Sequence, residues 1–359
     1  MSNSQQIRTK IVFREEKENI MQSKNSIIIK KVIIHVLDST MELPVISDTI
    51  AENNPIIYDF ISNHIEKVLQ NEGTKSCEFH EENNTIFHHI SAISKDSNNF
   101  TLKSQDLALS LYGIMKSNAS IPPADVAMVL FNLNGVENLA ILKLNYKHSF
   151  IHSVHTTDNK NIADIIILLT SLPSDKQKVD EAIIVDLQSF NIKLLEKKYE
   201  IKGDLSYYLS IFFLNCYGDY SNKEKLQIFK RTADKIGKSY FEDDLEKKME
   251  FKKAVVENIG KTGELNIEEV VNTVYSNNID IKDHFKEEIE NYNFKDTTVQ
   301  LSEQTVNKNF QKQLIKTDSG IELKIPIEQY DDFSKIEFVT NEDGTISILI
   351  KNINKLTYK

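Results

Sequence analysis

The sequence predicts an α+β fold, and three observations carry that prediction. β-Branched runs such as IIIKKVIIHVL at Ile27–Leu37 alternate with amphipathic helical stretches in the first half. Successive strands joined by short turns imply antiparallel pairing. A helix-patterned middle then gives way to alternating strand patterns near the C-terminus. At 359 residues the chain exceeds one ordinary core, so about two domains are expected.

Residues 1–26 are polar, mixed in charge and aperiodic, which predicts a flexible leader. The first strand follows and is ended by Asp38-Ser39. Asn54-Pro55 supplies an N-cap and a first-turn proline. Ile57, Phe60, Ile61, Ile65, Val68 and Leu69 then fall on one helical stripe, which Asn71, Glu72 and Gly73 terminate. A second helix is expected from Ser104, burying Leu107, Leu111, Ile114 and Met115. Ile121-Pro122-Pro123 breaks the chain before a hairpin, in which VAMVLFNL (126–133) and LAILKLNY (139–146) flank Asn134-Gly135. The connection there reads as longer than two residues. Residues 162–169 and 182–187 read as two neighbouring strands joined by a turn through Pro173.

The pattern then becomes helical. Asp204 is placed to cap a helix whose Leu205, Tyr208, Leu209, Phe212, Phe213 and Cys216 form an apolar stripe ending near Gly218. Ser221 with Glu224 makes an S-x-x-E capping box, opening a helix that buries Leu226, Phe229, Ala233 and Ile236. Helical pattern continues at 266–275 and 283–292. GIELKIPI (320–327) alternates as a strand, and EFVT-NEDG-TISILI is a hairpin turning at Asp343-Gly344. The expected organisation is a leader (1–26), an α+β domain (27–190), a helical region (191–300) and a small β-rich C-terminal unit (301–359).

Composition excludes several classes. No apolar run approaches the roughly 18 residues of a membrane span, so no membrane association is expected. The N-terminus lacks the apolar segment of a secretory signal. Cys77 and Cys216 are the two cysteines, too few for a disulfide framework or a thiolate zinc cage, which suits a reducing cytoplasm. The net charge of −10 argues against indiscriminate coating of nucleic acid. Any DNA contact has to come from a local basic face.

No catalytic constellation emerges. There is no G-x-G-x-x-G, no G-x-x-x-x-G-K-[ST] and no G-x-S-x-G, so nucleotide chemistry has no phosphate cradle. His148, His152 and His155 in KHSFIHSVH tempt a metal reading, but the stretch reads as a loop or strand end. On a strand, His148 and His152 would share a face yet sit roughly 13 Å apart. Asp180, Glu181, Asp186 and Lys193 lack the acid and E-x-K spacing of a nuclease, and read as solvated strand-end charges. Neither cofactor nor metal is expected.

Basic residues carry more. Arg231, Lys235 and Lys238 recur opposite the apolar stripe of the helix after Ser221, with Lys223 and Lys225 at its start. Lys193, Lys197, Lys198 and Lys202 form a second run, and Lys308, Lys312 and Lys316 a third around Phe310. Lysine-dominated contacts would read phosphates rather than base edges, so low sequence specificity is expected.

Three stretches, taken in order, resemble one family. They are IIIKKVIIHVLDSTMELPVISD with IIYDFISNHIEKVL; the block from ADVAMVLFNLNGVENLAILKLNY through IADIIILL and EAIIVDLQ to YYLSIFFLNCYGDYSNKEKLQIFKRTADKI; and GIELKIPIEQYDDF with TNEDGTISILIKN. Over about residues 27–355 the chain resembles the bacterial nucleoid-associated protein family. The resemblance implies a DNA partner and residence on the nucleoid, and it brings no catalytic residue. The rival reading is a protein-interaction module serving a DNA-management or defence factor. Homo-oligomerisation is left open.

Overall fold

The computed structural model describes residues 26–80, 84–242, 244–294, 296–330 and 332–357. The leader therefore lies almost wholly outside the described residues. Two compact units result, dividing at Gly218/Asp219.

The first unit runs β1 (Ile27–Leu37), α1 (Pro55–Leu69), β2 (Lys75–Phe79), α2 (Thr85–Lys95), α3 (Phe100–Ser117), β3 (Ala124–Leu133), β4 (Val136–Asn145), β5 (Lys147–Thr157), β6 (Lys160–Ser171), β7 (Glu181–Asp186), β8 (Ile192–Leu195), β9 (Lys198–Ile201), β10 (Asp204–Tyr207) and β11 (Cys216–Gly218). Seven of these strands make an antiparallel sheet in the order β1-β3-β4-β7-β8-β2-β11. The sheet is covered on both faces. On β3, Val126, Met128 and Leu130 pack with α2 and α3, whereas Ala127, Val129 and Phe131 pack with Ile61, Ile65 and Val68 of α1. Strand side chains alternate between faces, so a strand buried on both must be apolar at every position. That is why VAMVLF is continuous.

Several elements follow from local chemistry. The Asn54 side chain accepts from Ile56 N–H, with Pro55 in the first helical turn. The β3–β4 connection is shorter than expected: Asn134 and Gly135 alone span it, with φ of 52° and 94°. Two left-handed residues match the twist of a tight hairpin, so no longer loop is needed. The second helix begins at Phe100 rather than Ser104, and β2 and α2 add to the expected elements.

Three expectations are corrected. First, residues 204–218 are not one helix. Lys202 and Gly203 both take positive φ and turn the β9–β10 hairpin, so Asp204 opens a strand instead of capping a helix. A short π-helical turn follows at Leu209–Leu214, and left-handed Asn215 ends it before β11. Second, β6 pairs with β5, not β7; β7 pairs with β4, and the β5–β6 hairpin is an insertion between these neighbours. The three histidines of KHSFIHSVH thus lie on a full strand. Third, β8 and β11 complete the first sheet, which carries the first unit to Gly218 rather than to about residue 190. Gly218 is dictated by crowding, since a Cβ there would stand 2.4 Å from Ser76 O and 2.5 Å from Cys77 Sγ.

The second unit contains α4 (Asn222–Phe241), α5 (Leu245–Thr262), β12 (Leu265–Asn266), α6 (Ile267–Val274), α7 (Ile279–Glu290), β13 (Thr298–Val299), α8 (Glu303–Asn309), β14 (Lys312–Lys316), β15 (Glu322–Pro326), α9 (Ile327–Tyr330), β16 (Ile336–Thr340) and β17 (Ile346–Ile350). Its core joins Phe229 and Ile236 of α4 to Phe251 and Val255 of α5, Val270 of α6 and Phe285 of α7, and it includes Val299 and Phe310. The helical region and the segment after residue 301 thus share a core. β12 pairs with β13, β14 with β15, and β16 with β17. None of the helices described is long and apolar enough to cross a membrane.

Candidate nucleic-acid interface

The candidate surface is built on α4. Ser221 Oγ accepts from Glu224 N–H, and Glu224 accepts in return from Ser221 N–H at 2.9 Å, completing the capping box. This fixes where the helix starts and therefore its rotational register. Leu226, Phe229 and Ile236 face the core, while Lys223, Lys230, Arg231, Lys235 and Lys238 are exposed.

The structure sorts the sequence-derived cations. Lys225 is withdrawn from the surface: it is buried, its Nζ 2.8 Å from Asp219 and 3.0 Å from the Asp296 carbonyl. It cannot meet a phosphate without breaking a desolvated ion pair. Lys235 is exposed but sits 2.6 Å from Glu288 of α7. That interaction holds the Glu288 carboxyl below its usual range. The α4 outer face is thus partly neutralised by a neighbouring helix. In the first unit, Lys197 pairs with Asp180 at 2.8 Å, Lys198 lies over the Tyr207 ring, and Lys193 donates to Ser76. Lys316 faces Glu322 at 3.5 Å.

Lys308 and Lys312 have a different setting. They line a cleft of about 380 Å³ within the second unit, together with Lys230 of α4 and Lys247, Lys248 and Lys252 of α5. Phe251, Phe310 and Leu314 contribute its apolar walls, and Asp234 and Asp244 are the acids among the lining residues. A shallower groove adjoins it, sharing Lys308, Lys312 and Leu314 and adding Lys324. Lys230 donates to Asn309 at 2.8 Å and Lys252 to Gln313 at 2.7 Å, so uncharged amides position two of the ammonium groups. Burial pushes the Lys252 ammonium below its usual range, and the charges of Lys230 and Lys248 push it further, against Asp234. Cations that repel one another in a partly desolvated cleft are relieved by an anion placed among them.

Sequence reasoning misses Lys248 and Lys252, because EDDLEKKME presents as balanced charge rather than as the start of a helix. The signals for that helix are Asp244, which accepts from Glu246 and Lys247 N–H, and the i, i+4 spacing of Lys248 and Lys252.

Over residues 33–357 the chain matches the sequence model of the family described as Nucleoid-associated protein YejK. The chain belongs to that family, and its role is accordingly nucleoid-associated. Comparison with curated proteins gave no match.

Proposed function

We propose that the protein binds DNA directly and without catalysis, through phosphate contacts made in the lysine cleft of its second unit. The observation that carries this reading is the convergence of Lys230, Lys248, Lys252, Lys308 and Lys312 from α4, α5, α8 and β14 on one concave surface. Ammonium groups recognise phosphate as point charges, with little base discrimination. The cleft also reconciles an acidic chain with DNA association, because cations are concentrated where the net charge of −10 is not. The non-catalytic reading is supported by the missing phosphate-cradle motifs.

The test is binding of the full chain to two unrelated duplexes, measured as affinity against salt concentration. Lys252→Gln, Lys308→Gln and Lys312→Gln together should weaken both duplexes alike and lower the log–log salt slope by about 0.9 for each phosphate contact removed. An unchanged slope would remove the cleft as the DNA surface.

A further inference from the structure

The lysine cleft carries an apolar group that phosphate contacts alone leave unexplained. Leu314 of β14 lines both the cleft and the shallower groove beside it, and it is 49% exposed. It stands among lysines. Strand side chains alternate between faces, so Lys312 shares its face, and Lys324 of β15 lies directly opposite it in the register. Lys308 of α8 borders the same two concavities. All three lysines are exposed, and among the described residues none of them is paired with a carboxylate. The other large apolar groups of the cleft are already engaged. Phe251 and Phe310 are buried in the core of the second unit. The Phe241 ring has the Lys247 ammonium over it at 5.8 Å and is stacked with Tyr275 at 6.1 Å. Leu314 is thus the large apolar side chain of the lining that is placed to receive a flat apolar group.

Resting on the reading that this cleft binds DNA phosphates, we propose that the ligand seated in it is an unpaired DNA strand. One base lies against Leu314, and the flanking phosphates are held by Lys308, Lys312 and Lys324. A duplex turns its base faces inward and presents phosphates, sugars and base edges, so it would leave Leu314 against water or charge. An unpaired strand alternates charged phosphates with exposed base faces. That matches the alternation of lysine and leucine along β14. Size agrees with charge. A cleft of about 380 Å³ lies in the range that admits a small molecule, so one nucleotide enters and a double helix meets only the rim lysines. The adjoining groove prolongs the cationic track past Lys308 and Lys312 to Lys324, which a polymer uses and a free nucleotide does not. Contact through a base face tolerates any sequence, because every base has one.

The experiment titrates the full chain with three labelled DNAs at one salt concentration. They are an oligo-dT strand, a strand of equal length with abasic spacers in place of every base, and a duplex. The first two carry the same phosphates, so their difference reports the bases. Wild type should bind oligo-dT about fivefold more tightly than the abasic strand, the margin expected when half a leucine side chain leaves water. Leu314→Thr should abolish that margin while leaving the abasic strand and the duplex bound as before. Leu314→Met, apolar and of similar volume, should keep it. Lys308→Gln with Lys312→Gln should weaken all three DNAs. Equal binding of oligo-dT and the abasic strand by wild type overturns the proposal without recourse to any variant that must fold. A margin that survives Leu314→Thr also overturns it, and so does an equal loss of duplex binding in that variant. In each of these cases the phosphate reading stands as long as the lysine pair weakens binding. A lysine pair without effect removes the cleft reading itself, and the proposal with it.

Discussion

Nδ1 of His35, a buried residue on β1, accepts a hydrogen bond from the backbone N–H of Ser47 at 3.1 Å. Nδ1 is therefore unprotonated, and the proton sits on Nε2, 3.3 Å from Ser104 Oγ, which itself donates to the Thr101 carbonyl. The ring is locked neutral by its partners and by burial, which lowers its pKa from 6.5 to about 4. The unfolded chain takes up a proton near pH 6.5 and the folded chain resists until about pH 4. Stability is thus full above pH 6.5 and falls as the pH drops through that window, by roughly 3 kcal/mol in all. Burial lowers the pKa of His64 too, so it contributes in the same sense. Denaturant midpoints from pH 7 to 4 should show a shallower decline in His35→Gln than in wild type. Parallel curves would mean that His35 is not the group titrating.

Phe212 and Phe213 are adjacent but unequal. Phe213 is buried in the first core, and Phe212 is about half exposed. Phe213→Ala should cost roughly 3–5 kcal/mol by leaving a cavity, whereas Phe212→Ala should cost less than about 1 kcal/mol. Urea denaturation of both variants decides, and equal losses would contradict the π-helical turn.

Lys143 and Glu181 face each other across β4 and β7 and are both buried, 2.9 Å apart. Asn145 and Tyr199 also donate to Glu181, at 3.1 and 2.9 Å. Lys143→Met would strand a buried carboxylate and should cost roughly 3–5 kcal/mol, while Lys143→Met with Glu181→Leu should recover part of that destabilisation. A double-mutant cycle by chemical denaturation measures the coupling; simple additivity would show the two charges to be independent.

The two basic surfaces of the second unit make opposite predictions. If the cleft binds phosphate, Arg231→Glu, Lys235→Glu and Lys238→Glu together should change the salt slope less than the Lys252, Lys308 and Lys312 glutamine set does. Part of the reason is that Lys235 is already paired with Glu288. Removing one phosphate-bound cation lowers the slope by about 0.9 on duplex DNA, so titration alone separates the two sets. A larger effect from the α4 outer face would return the interface there.

Features set by neighbours in the chain are legible in the sequence. The Asn54-Pro55 helix start and the Ser221/Glu224 capping box follow from groups a few residues apart, which fix φ and hydrogen bonding locally. The same holds for the burial of Phe229 and Ile236, since helical period alone assigns them to one side. Long-range pairing is not legible. Asp204 resembles a helix cap because nothing in its own surroundings shows that Lys202-Gly203 turns a hairpin, and β7 pairs with β4 rather than β6 only because the whole sheet closes that way. The site divides the same way. Composition shows that cations exist near residues 223–238 and 308–316. Packing of segments distant in sequence then sets Lys225 against the Asp296 carbonyl, and brings Lys230 and Lys252 beside Lys308 and Lys312. A charge's pattern along the chain says which side of a helix it occupies. Whether that side meets a carboxylate, another lysine or water is set by tertiary packing, because Coulomb energy depends on distance in space and on local desolvation.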